Sequence, residues 1–177
     1  GQYRVVYAND ASHLNDAIST FAHQNWWRGT NRKEIGLRFL PLDVQSEAGA
    51  ALYQLCRAEG WFSSHGNMDH YDGKAFLEQA RRNRKVYDGA VLAAYYEDNF
   101  AGLLQLDTDQ DSAEGVGRVP FVYMAPDYRK KGVGIQLIGE AVSRFRKLGR
   151  DRLRLRGAAE NTTAQNFYRR CGFRKTG

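Results

Sequence analysis

The densest chemistry in the chain lies between Val122 and Gly134. There an apolar stretch, Val122-Tyr123-Met124, runs through Ala125-Pro126-Asp127-Tyr128 into the basic turn Arg129-Lys130-Lys131-Gly132-Val133-Gly134. A helical stripe follows at once, so the turn stands at a helix start. Helix starts present unpaired backbone N–H groups and the positive end of the helix dipole, and glycines let an anion approach the main chain. With Arg129, Lys130 and Lys131 adding charge, the segment suits phosphate. It is neither the nucleotide loop Gly-x-x-x-x-Gly-Lys-Ser/Thr nor the three-glycine dinucleotide fingerprint. A second stretch, Asn161-Thr162-Thr163-Ala164-Gln165-Asn166-Phe167-Tyr168-Arg169-Arg170-Cys171-Gly172-Phe173, opens on a residue that caps helices well.

Other candidates carry less. Asp107-Thr108-Asp109-Gln110-Asp111 resembles the start of a calcium loop, but Ser112 stands where that loop needs Gly and Arg118 where it needs Glu, so a solvated strand connection is expected. His65 and His70 flank Asp69 in a segment that reads as a solvated or substrate-lining loop rather than a metal site. Cys171 reads as core filler, because nothing near it spells a Cys–His arrangement. Trp26, Trp27 and Trp61 read first as packing.

These residues need elements to hold them. Tyr3 to Tyr7 predicts a strand, and Leu14, Ala17, Ile18 and Phe21 a capped amphipathic helix. Ile35, Leu37 and Phe39 alternate as a short strand closed by Pro41, and Ser46 then caps a helix through Ala48, Leu52, Leu55 and Cys56 that Gly60 ends. Trp61 to Tyr71 is expected as a loop, followed by a short helix capped by Asp72 and carrying Phe76, Leu77 and Ala80. Ala90–Tyr96 and Phe100–Leu106 form a hairpin about Glu97-Asp98-Asn99, and Val119–Met124 a strand in which Pro120 marks an edge or bulge. Ile138, Ala141, Val142, Phe145 and Leu148 give the strongest helix, ended by Gly149. The alternation Arg152-Leu153-Arg154-Leu155-Arg156 puts leucines on a core and arginines on the opposite face. The division expected is an extension or remnant of a preceding domain over residues 1–34 and one domain over 35–177.

Taken together, Pro-x-Tyr-Arg-x-x-Gly-x-Gly plus helix and Asn-x-x-Ala-x-x-Phe-Tyr-x-x-x-Gly-Phe resemble the GNAT family of acyl-CoA-dependent N-acyltransferases. The resemblance spans Ile35 to Phe173 and includes the order strand, two helices, three strands, helix, strand, helix. It implies an α/β (α+β) fold: a mixed, mainly antiparallel sheet flanked by helices and splayed at the cofactor-binding strand. It also implies that Arg129, Lys130, Lys131, Gly132, Val133 and Gly134 cradle the cofactor pyrophosphate and that Val122, Tyr123 and Met124 hold the pantetheine arm by their backbone. Asn161 is implied as a further cofactor ligand, besides its reading as a cap, and Tyr168 as the catalytic acid that protonates the departing thiolate, besides its reading as a core tyrosine. The donor implied is acetyl-CoA, the acceptor an amine on a small molecule or protein, and no metal takes part.

The family's usual carboxylate base falls on Pro120 and Arg156, neither of which accepts a proton. Glu114, Asp107, Glu97 or a chain of waters are the substitutes the sequence offers, and a low-pKa acceptor amine is expected. The missing base keeps a non-catalytic acyl-CoA-binding or sensory module in view as the alternative.

Composition agrees with one folded domain. The 177 residues are 42% hydrophobic, and 26 Lys+Arg against 20 Asp+Glu leave a formal +6, which favours an anionic partner. A basic nucleic-acid-binding domain on the arginine strand is the lesser reading. Two separated cysteines exclude a disulfide framework and point to a reducing, cytoplasmic setting, and no apolar run is long enough for a membrane span. A homodimer or an additional domain in a longer chain is the expectation for how the sheet is completed past Phe173.

Overall fold

In a computed structural model that describes residues 4–10, 36–158 and 161–175, the strands join one seven-stranded sheet in the order β2-β3-β4-β5-β6-β1-β7. These are β1 (Arg4–Asp10), β2 (Arg38–Pro41), β3 (Val91–Tyr96), β4 (Asn99–Asp107), β5 (Val116–Met124), β6 (Arg152–Ala158) and β7 (Arg174–Lys175). Every neighbouring pair is antiparallel except β5 with β6, which is parallel because a helical crossover joins them. This is the mixed, mainly antiparallel sheet expected. The first strand lies in it between β6 and β7, with Val6 opposite Arg156. The helix expected over Leu14 to Phe21, and Trp26 and Trp27, lie outside the described residues.

Two apolar faces follow from the period of two along the strands. On one face Val91, Ala93, Leu103 and Tyr123 pack against α1 (Glu47–His65) and α2 (Gly73–Val86) through Tyr53, Cys56, Leu77 and Ala80. On the other, Leu92, Leu104, Leu106, Leu153 and Leu155 pack against α3 (Ile135–Lys147) through Ile138, Ala141, Val142 and Phe145 of the stripe read from the sequence, joined by Leu137; Leu148, expected in that stripe, follows the helix as its C-cap and is exposed. Phe167 and Tyr168 of α4 (Thr162–Arg170) join this second core.

The expected caps form: Ser46 accepts from Gly49 N–H, Asp72 from Ala75 N–H and Asn161 from Ala164 N–H. Gly60, expected to end α1, does not. The helix continues to His65 and stops at Gly66, whose φ of 76° is left-handed and whose N–H donates to the Phe62 carbonyl at 2.7 Å. Gly60 lies against the sheet instead, where a side-chain carbon would meet Phe121 and Tyr123 at 3.4 Å. Trp61 and His65 therefore belong to a helix, not a loop. The second helix likewise runs past Ala80 to Val86. The hairpin turns on Glu97-Asp98, with Glu97 at a φ of 53°.

Candidate functional site

The strand pair β5/β6 comes apart halfway along. Its parallel ladder runs from Val116 opposite Arg152 to Val119 opposite Leu155 and ends there, while β5 stays paired with β4 as far as Met124. Pro120 is the next residue, and having no N–H it cannot extend a ladder. The register of β4 against β5 shifts at the same place, between Gln105–Phe121 and Asp107–Arg118, which is a bulge. Beyond it, residues 120–124 have a backbone edge that faces β6 without pairing to it. Val122 and Met124 send side chains to the α3 face, Phe121 and Tyr123 to the α1 face.

At the open end of β5 the chain makes a single 3₁₀ turn, Pro126–Tyr128, and then the basic turn. Lys130 and Gly132 are left-handed, with φ of 61° and 76°, so φ changes sign along the turn, a backbone pattern suited to receiving anions. No side chain caps the first turn of α3; Gln136 and Leu137 N–H donate to the Val133 and Gly134 carbonyls, so the amides ahead of them are the ones placed for an anion. Val133 is buried and can serve only through its backbone; Lys130 and Lys131 are exposed. A side-chain carbon on Gly134 would stand 3.6 Å from the Phe167 ring and 3.7 Å from Met124 Cγ, so this glycine sits between β5 and α4. These features fit the pyrophosphate and pantetheine of an acyl-CoA.

Arg129 differs from its lysine neighbours. Its Nη2 reaches both carboxylate oxygens of Glu59 at 2.8 and 2.9 Å, and its Nε donates to the Met124 carbonyl at 2.9 Å. The side chain thus ties the loop to α1 and to the end of β5, and its backbone is what remains for a phosphate. Burial, then the neighbouring Glu59, pushes the Tyr123 phenol up to about 12.

The second motif closes the other wall. Asn161 accepts from Ala164 N–H at 3.1 Å as a cap and donates through Nδ2 to Ser64 Oγ at 3.2 Å, linking the start of α4 to the end of α1. Tyr168 is half-buried, its ring edge-on to Phe167 and Phe173 at centroid separations of 5.6 and 6.1 Å. A carbon on Gly157 would lie 3.9 Å from Tyr168 Cε2, so the phenol ring borders the part of β6 past the end of the ladder.

Sequence reasoning did not single out Glu59 or Arg57 of α1, and it read Trp61 only as packing. The Arg57 guanidinium is clamped between the rings of Phe76 and Phe121, 4.1 Å from each centroid. Its Nε donates to Tyr53 Oη at 2.9 Å and its Nη2 to Gln105 Oε1 at 3.2 Å. Gln105 also accepts from Tyr53 Oη and donates to Asn83. Burial holds this guanidinium below the usual arginine range, only partly countered by Tyr53. Trp61 stacks on His65 at 4.1 Å and packs on Tyr71 and Phe76, while its Nε1–H is buried without a partner. A helix that reads as amphipathic hides such roles, because they depend on which strand residues lie opposite.

The remaining candidates stand away from this end. Asp107 and Glu114 lie near the paired start of β5, and Asp107 receives the N–H groups of Asp109 and Gln110. On β6, Arg154 pairs with Asp111, which also holds Arg118, and Arg152 pairs with Asp151. Cys56 and Cys171 are buried, and their thiols are pushed up to about 12, chiefly by burial. Among the described residues no group of three or more His, Cys, Asp or Glu is placed to hold a metal ion, and no helix is long and apolar enough to cross a membrane.

Comparison with known proteins agrees with this fold. An uncharacterized N-acetyltransferase of Methanocaldococcus jannaschii is 36% identical over 58 residues, a match that covers 33% of this chain and 26% of that protein. The chain thus spans about a quarter of the length of the curated relative it matches. The crystal structure of PH1933 from Pyrococcus horikoshii superposes with a TM-score of 0.59 at 22% identity, over 80% of this chain and 91% of that one. The PaiA N-acetyltransferase of Thermoplasma acidophilum, solved in complex with coenzyme A, gives a TM-score of 0.56 at 18% identity over 78% and 90%. At those identities the likeness is one of fold. The acetyltransferase (GNAT) family profile matches residues 51–173, which take in the splayed strand, the basic turn and both motifs, and the chain belongs to that family.

Proposed function

We propose that the chain moves an acetyl group from acetyl-CoA to a primary amine, with Tyr168 returning a proton to the departing thiolate. The observation that carries this reading is the end of the β5/β6 ladder at Val119 and Leu155, directly before the Val122–Met124 edge and the left-handed turn at Lys130 and Gly132. In this reading the backbone of Val122, Tyr123 and Met124 aligns the pantetheine. Backbone N–H groups from Arg129 to Gly134, with Lys130 and Lys131, hold the pyrophosphate. Asn161 assists at the far wall while capping α4.

Acetyl-CoA supplies an activated thioester; the chain supplies alignment, a donor for the developing oxyanion and a proton for sulfur. The attacking amine must be neutral. A lysine-like amine near pKa 10.4 is neutral only to roughly one part in 10³ at pH 7, a penalty of about 4.6 kcal/mol, whereas an amine near 8 loses little. Both Glu59 oxygens are occupied by Arg129, so an acceptor that arrives deprotonated, or loses its proton through water, suits the site best.

The experiment is turnover of acetyl-CoA against an amine panel, read as acetylated product by mass spectrometry, for the native chain and Tyr168→Phe. Product from the native chain and at least a hundredfold less from the variant supports the reading. Saturable acetyl-CoA binding with no product from any amine favours the non-catalytic module, which the proline and arginine at positions 120 and 156 also suit.

A further inference from the structure

Resting on the acyl-transfer reading, we infer that the acceptor is an amino acid, whose carboxylate is received by Arg57 and Trp61. Arg57 is only 9% exposed, and no carboxylate among the described residues pairs with it. Its two hydrogen bonds go to neutral oxygens, those of Tyr53 and Gln105, and are made by Nε and Nη2, not Nη1. A buried cation served only by neutral acceptors is costly, and an anion from outside the chain relieves that cost.

Trp61 stands one turn further along α1, on the same side, and both residues lie against Phe76. Its indole N–H is a buried donor with no partner among the described residues. One guanidinium nitrogen and one N–H match the two oxygens of a planar carboxylate better than the three of a phosphate. The place also fits. Phe121, which stacks on the guanidinium, belongs to the segment of β5 beyond the last β6 pair, so an anion at Arg57 brings a neighbouring amine alongside the strand that holds the thioester. The Phe76–Phe121 clamp and the Tyr53–Gln105 bonds fix the fork before a ligand arrives.

The test pairs two series on the intact chain. Calorimetric titrations compare N-acetyl-L-amino acids with the matching N-acetylamines that lack the carboxylate, and turnover compares L-amino acids with their decarboxylated amines. Inorganic phosphate and acetyl-CoA serve as further titrants. We expect the carboxylate series to bind about tenfold or more tightly, and the amino acids to show a lower KM at similar kcat. Arg57→Lys keeps the charge and loses the fork, and should abolish that difference while acetyl-CoA affinity stays the same. Should that variant fail to fold, Trp61→Phe, which removes only the N–H, should narrow the gap severalfold.

Equal affinity for the two series, a gap untouched by both substitutions, or tighter binding of phosphate would overturn the inference while acetyl-CoA binding leaves acyl transfer standing. Arg57-dependent carboxylate binding without acetyl-CoA binding would keep the anion site and remove the acyltransfer reading.

Discussion

Val119 and Leu155 are the last partners in the parallel ladder between β5 and β6, and the residue after Val119 is a proline. The unpaired edge of β5, to which the proposed function assigns the pantetheine, thus begins where the ladder stops, and the bulge opposite Leu106 falls at the same point. A prediction follows for the turn that lies beyond. Gly132 has a φ of 76°, so Gly132→Ala adds roughly 1–2 kcal/mol of local strain and disturbs that backbone pattern. Acetyl-CoA affinity should fall about tenfold or more by calorimetry, with the melting temperature lowered only by a few degrees.

Tyr168 lends its ring to the core, and the proposed mechanism gives its hydroxyl the proton for the thiolate. Tyr168→Phe keeps the contacts with Phe167 and Phe173 and removes the proton donor. We expect kcat to fall by about 10²-fold or more with acetyl-CoA affinity unchanged, measured by steady-state turnover beside calorimetry. Equal loss of kcat and of binding would assign the residue to packing.

Glu59 and Arg129 should behave as one unit. The pair is partly exposed, so its coupling is set at about 0.5–1 kcal/mol. A double-mutant cycle with Glu59→Gln and Arg129→Gln, read by chemical denaturation, measures it. Acetyl-CoA affinity should fall less in Arg129→Gln than in the glycine variants, because the Arg129 side chain serves the loop through Glu59 and the Met124 carbonyl.

Alkaline stability has a definite sign. Cys56 and Cys171 are raised from 9.0 to about 12, and Tyr123 from 10.0 to about 12. In each the folded chain keeps a proton that the unfolded chain gives up, so their contribution is complete below about pH 9 and is lost as pH rises towards 12. Thermal unfolding should be insensitive to these groups up to about pH 9 and then fall steeply, with Cys171→Ala flattening part of the fall. At pH 8 neither thiol should react with iodoacetamide in the folded chain.

What the sequence revealed, and what it concealed, divides along physical lines. The caps at Ser46, Asp72 and Asn161, the hairpin at Glu97-Asp98 and the stripe of α3 from Ile138 to Phe145 are local, and each forms as expected. Gly60 misled because a glycine's helix-ending tendency is local while its reason here is remote, the nearness of Phe121 and Tyr123. Once the helix runs on to His65, Glu59 reaches Arg129, 70 positions away, and Arg57 reaches Gln105, 48 positions away. No spacing within α1 encodes those meetings. The basic turn was legible as a glycine-bearing turn ahead of a helix, but not the separate fate of its arginine, which rests on a carboxylate from another element.

The most direct test of the central claim is calorimetric titration of the chain with acetyl-CoA beside Gly134→Glu. That substitution puts a carboxylate into the space between Met124 and Phe167, where repulsion and bulk both oppose a pyrophosphate. The account predicts saturable binding by the native chain, near 1:1, and none by the folded variant. Equal binding by both, or no binding by the folded native chain, would contradict it.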